Sequence, residues 1–107
     1  VIEYVVENGF HNDEIMQDFI DKMISKISNN VYLDKIFKIY LSKKEISNED
    51  KIRFIDKHFH QMTNNKYMFD FLKFLYENNF KEQAIEYQSR LTNKTYIDKF
   101  KELISIN

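Results

Sequence analysis

Apolar side chains recur at helical spacing along almost the whole chain. Ile15, Met16, Phe19, Ile20, Met23, Ile24 and Ile27 fall at intervals of three and four, which predicts an amphipathic helix over residues 13–27 with one broad apolar stripe. Asn12 is its expected N-cap, and Asp13 and Glu14 suit the positive end of the helix dipole. Leu33, Ile36, Phe37, Tyr40 and Leu41 share a second face, with Asp34, Lys35, Lys38 and Ser42 pointing away. After a polar connection, Ser47 with Asp50 three residues on reads as a capping-box start. The helix it opens carries Ile52, Ile55, Phe59 and Met62, with Phe54 at the edge, and stops at Thr63-Asn64-Asn65.

Residues 66–91 are the most apolar part. Met68, Phe69, Phe71, Leu72, Phe74, Leu75 and Tyr76 cover most of a helix circumference, broken only by Asp70 and Lys73. A helix apolar nearly all round is buried among others or forms a binding surface. Beyond Glu77-Asn78-Asn79, residues 80–91 form a second arm with Phe80, Ala84, Tyr87, Gln88 and Leu91 together and Ile85 adjacent. A last helix, capped by Thr95, carries Tyr96, Ile97, Phe100, Leu103 and Ile104. At the start, the β-branched residues of VIEYVVE and the pair Asn8-Gly9 suggest a hairpin, but no matching strand follows. Residues 1–8 are read instead as a short helix ended by Gly9.

First arms begin at Val1, Tyr32 and Tyr67, and again at Tyr96, and each of the first three is followed by a connection and a second arm. This is the outline of stacked helical hairpins. The segment FKEQAIEYQSRL, residues 80–91, resembles the second helix of a tetratricopeptide repeat, with Ala84, Ile85 and Tyr87 in the small, aliphatic and aromatic places. Within 67–91 the likeness covers one hairpin; the turn glycine and proline of that family are missing. The resemblance implies a superhelical scaffold that binds proteins or peptides in a groove lined by first helices. The expected fold is all-α: three stacked hairpins plus a C-terminal helix, solenoid-like, or a compact multi-helix bundle.

Composition supports helices and removes several kinds of chemistry. One glycine and no proline in 107 residues leave little material for the tight turns of sheets. The length suits one domain over residues 1–107, and a start at valine suggests a fragment of a longer protein. Without cysteine there are no disulfides, thiolate metal sites or thiol nucleophile; this favours a reducing compartment, the cytoplasm. No stretch approaches a membrane span. The net charge of −1 disfavours nucleic acid as a partner. No phosphate-binding glycine loop or nucleophile elbow is present, so neither a cofactor nor an enzymatic activity is expected within these residues. Asp56 and His60 share a helix face, but two ligands are too few for a zinc site, so no metal is expected.

What remains points to another protein or peptide as partner. Lys38, Asp70, Lys73 and Tyr76 would line the exposed side of the first arms in a scaffolding module. Charge offers an alternative: residues 1–30 hold six acids and two bases, and Asp18 and Asp21 lie in the acidic face they form. That face would suit a small helical inhibitor or immunity-type protein with a basic target, or serve only as a solvated surface. A third reading is an accessory helical domain of a larger enzyme.

Overall fold

A computed structural model describes residues 14–106 and shows an all-α chain: among the described residues there are six α-helices and no strand. The expected helix at 1–8, its terminator Gly9 and the Asn12 cap lie outside the described residues. The chain divides into two compact units, Val1–Met62 and Thr63–Asn107. None of the described helices is long and apolar enough to cross a membrane.

In the first unit, α1 (Glu14–Ser25), α2 (Asn30–Leu41) and α3 (Asn48–His58) surround a core of Ile20, Ile24, Leu33, Ile36, Phe37, Tyr40, Phe54, Ile55 and Phe59. Asn29 caps α2, accepting from the Tyr32 amide at 3.0 Å. Ser47 caps α3 as expected, accepting from the Asp50 amide at 3.1 Å. The Asp50 carboxylate, however, accepts from Arg53 at 3.0 Å, so the expected box is taken up by a salt bridge. The connection before it is less polar than it looks, because Ile46 is buried and pins the loop to the core. Phe54, expected at an edge, is also buried, its ring stacked on Tyr40 at 3.9 Å and meeting Phe37 edge-on at 5.5 Å. Past His58 the helix tightens into a 3₁₀ turn, Phe59–Gln61.

In the second unit, α4 (Asn65–Glu77) packs against both α5 (Lys81–Tyr87) and α6 (Lys94–Ile106). Met68, Phe71, Leu72, Leu75 and Tyr76 of α4 are buried, whereas Phe69 and Phe74 are half-buried. The α4–α5 turn works without glycine. Asn79 takes a left-handed φ of 73°, and the Phe80 amide reaches back to the Leu75 carbonyl at 2.9 Å. This is a Schellman ending, with Phe80 and Leu75 both buried beside it. The Asn65 side chain ties the start of α4 to that of α6, accepting from the Thr92 and Asn93 amides at 2.8 and 3.0 Å. Asn93, one residue outside α6, accepts from the Thr95 amide at 2.9 Å; it takes the cap role expected of Thr95, which lies inside the helix.

The two units repeat a local device. Both α3 and α5 run into a 3₁₀ turn, Phe59–Gln61 and Gln88–Arg90, closed by a buried extended residue, Met62 or Leu91. Thr and a capping Asn follow in each case, and the next helix carries Tyr as its third residue, at Tyr67 and Tyr96.

Candidate functional site

The site lies in the first unit and begins with how α1 sits. At about 100° per residue, its buried positions Gln17, Ile20, Asp21 and Ile24 are centred roughly 90° from the middle of its apolar stripe. Two polar residues have entered the interior, and Ile15 and Phe19 have been left outside, 81% and 50% exposed. The rotation is tolerated because both polar residues are satisfied. Gln17 accepts from the Tyr40 hydroxyl at 3.0 Å. Asp21 accepts from Lys57 through Oδ2 at 3.1 Å, and its Oδ1 lies 2.9 Å from His58 Nε2. Burial alone would raise the Asp21 carboxyl, but the hydrogen bonds and positive charges of His58 and Lys57 together hold it below 3.8. Burial also pushes the Tyr40 phenol up to about 12.

Outside this interior cluster, α1 and α3 border a cleft of about 560 Å³ lined by Glu14, Gln17, Asp18, Asp21, Asp50, Arg53 and Lys57. Four carboxylates face two cations, and no apolar side chain lines it. Small-molecule pockets are mainly apolar; a charged cleft of this kind matches charged side chains. Asp21 is held ionised by its bonds to His58 and Lys57, and both nitrogens of His58 are engaged, the second by Gln61 at 2.7 Å.

The residues singled out in the sequence scatter. Asp18 and Asp21 do line one cleft, but only Asp18 is exposed, paired with Lys22 at 3.1 Å; Asp21 is 6% exposed and turned inward. Lys38, on α2, pairs with Asp34 at 2.9 Å. On α4, Asp70 pairs with Lys66 at 3.6 Å, and Lys73 is exposed beside an open groove lined by Phe69, Lys99, Glu102 and Leu103. Tyr76, expected on the partner-facing side, is buried with its ring edge-on to Phe100 at 6.3 Å. Asp56 and His60 are both exposed, while His58 is fully buried.

Sequence reasoning missed Gln17, Asp50, Arg53, Lys57, His58 and Gln61. A signal existed for some of them. Gln17 and Asp21 are four apart beside Ile20 and Ile24, and Arg53 and Lys57 are four apart beside Phe54 and Ile55. Each pair forms a polar row beside apolar positions, an amide and a carboxylate on one helix and two cations on the other. No family model matches the chain, and no curated protein or solved structure matches it either.

Proposed function

We propose that this chain is a protein-binding helical module that engages a basic protein partner through α1 and the cleft beside it. The carrying observation is the exposure of Ile15 and Phe19, one turn apart on α1, next to a cleft with an excess of carboxylates. Exposed large apolar side chains rimmed by charge are how interaction surfaces are built: an aromatic anchor supplies affinity, and the charged rim selects the partner. The partner's complementary surface offers Lys or Arg to Glu14 and Asp18 and an apolar recess to Phe19. Repeated helical hairpins are a common binding scaffold, which supports the same class of function; the tetratricopeptide-like part of the reading rests on residues 67–91 alone. A chain without cysteine suits the cytoplasm as the setting.

The test is to place a photo-crosslinking phenylalanine analogue at Phe19 of the full chain in its own cells, with Lys101 substituted in parallel as an exposed control. Position 19 is expected to capture one protein with a basic surface, position 101 not, and Asp18→Lys is expected to abolish the capture. Equal capture at both positions, capture of a second copy of this chain only, or indifference to Asp18→Lys overturns the reading.

A further inference from the structure

The end of α1 is fastened to the turn after α3 by a relay of side chains that starts at Asp21, on the inner wall of the cleft. Asp21 Oδ1 lies 2.9 Å from His58 Nε2, and His58 Nδ1 lies 2.7 Å from Gln61 Oε1. Gln61 Nε2 in turn donates to the Ile24 and Ile27 carbonyls, at 2.8 and 3.1 Å. Those two carbonyls settle which way the amide points, because a flipped Gln61 would set its oxygen against two others. Its Oε1 therefore faces the ring. Asp21, as a carboxylate, also only accepts. Each nitrogen of His58 thus faces an acceptor, and the ring satisfies both only with a proton on each.

Neighbours reach the ring from each described helix of this unit. From α1, Asp21 faces it, with Asp18 and Glu14 farther out along the cleft. From α3, Lys57 holds the other Asp21 oxygen at 3.1 Å, while Arg53 and Asp50 pair with each other at 3.0 Å. The Phe54 ring is tilted against it with centroids 4.8 Å apart, and from α2 the Phe37 ring lies at 6.5 Å. Tyr40 of α2 stacks on Phe54, and its hydroxyl is given to Gln17. His60, in the same turn as Gln61, is exposed. A ring lacking one proton would set a bare nitrogen against an oxygen at a side chain only 1% exposed, where water cannot make up the loss.

The geometry points to a proton-dependent latch: the doubly protonated His58 ring clamps the C-terminal end of α1 to the turn after α3, and loss of one ring proton releases it. Loss at Nδ1 frees Gln61 from the ring and loosens its hold on Ile24 and Ile27. Loss at Nε2 leaves Asp21 to Lys57 alone.

The full chain, labelled with ¹⁵N histidine, tests this without any destabilising change. Ring nitrogen spectra are followed as pH is raised, with His11→Gln and His60→Gln variants assigning the signals. Hydrogen exchange at the Ile24, Ser25, Lys26 and Ile27 amides is measured alongside, corrected for its intrinsic pH dependence. Both His58 nitrogens are expected to carry protons in the folded chain, and amide protection is expected to fall roughly tenfold or more in the same step in which the ring loses one. In Gln61→Met the ring should still titrate while those amides no longer follow it. A folded-state ring with one bare nitrogen, or amides that ignore the ring's titration in the unsubstituted chain, overturns the latch.

Discussion

Asp21 shows how far one residue departs from what its neighbours in sequence suggest. Beside Asp18 it reads as part of a solvated acidic face, yet its carboxylate is inside and depends on Lys57 and His58, more than thirty positions away. Helical periodicity reports which side chains share a face; it carries no information about a cation arriving from another helix. Because its partners hold its folded pKa below 3.8, the unfolded chain binds that proton more readily than the folded one. Its contribution is therefore complete above the unfolded value and is lost as pH falls through the lower folded one. Urea unfolding across a pH series should show stability dropping below about pH 4, with a shallower drop in Asp21→Asn. At neutral pH that variant should lose about 3 kcal/mol, because a buried pair has lost one member. Tyr40 gives the opposite sign. Its phenol is raised to about 12, so its contribution is present below the ordinary value of 10 and is lost as pH climbs toward the folded value. Tyr40→Phe keeps the ring on Phe54 but leaves the Gln17 oxygen without this donor. It should cost about 1 kcal/mol and flatten the alkaline loss.

At the scale of elements, helix positions were legible because apolar spacing of three and four persists through every segment from Ile15 to Ile104. The joints were less so. Nothing in the periodicity distinguishes the last turn of α3 from the 3₁₀ turn Phe59–Gln61, since Phe59 continues the apolar stripe either way. The α4–α5 joint was placed correctly from Glu77-Asn78-Asn79, but its left-handed residue is an asparagine where glycine is the usual choice. Asn79→Gly should stabilise the chain by about 0.5 kcal/mol, by relieving the crowding of a Cβ at φ 73°. Asn79→Val should destabilise it by about 1–2 kcal/mol. Asn64→Ala removes the acceptor of the Lys66 amide at 2.9 Å and should cost about 1 kcal/mol. Thermal unfolding of the three variants checks all of these values.

For the molecule as a whole, the sequence announced an all-α chain through one glycine, no proline and unbroken amphipathic segments. The acidic character of its first third was also legible. The surface that character belongs to was not, because α1 is rotated by polar contacts that bury Gln17 and Asp21 and expose Ile15 and Phe19. That rotation is the centre of the functional account: it sets an apolar anchor beside an acidic cleft. The most direct measurement is the affinity of the full chain for the protein cross-linked through position 19, determined at low and at high salt. A surface that selects by charge predicts an affinity that falls steeply with added salt, and falls again in Asp18→Lys at low salt. An affinity indifferent to both salt and charge reversal would contradict it.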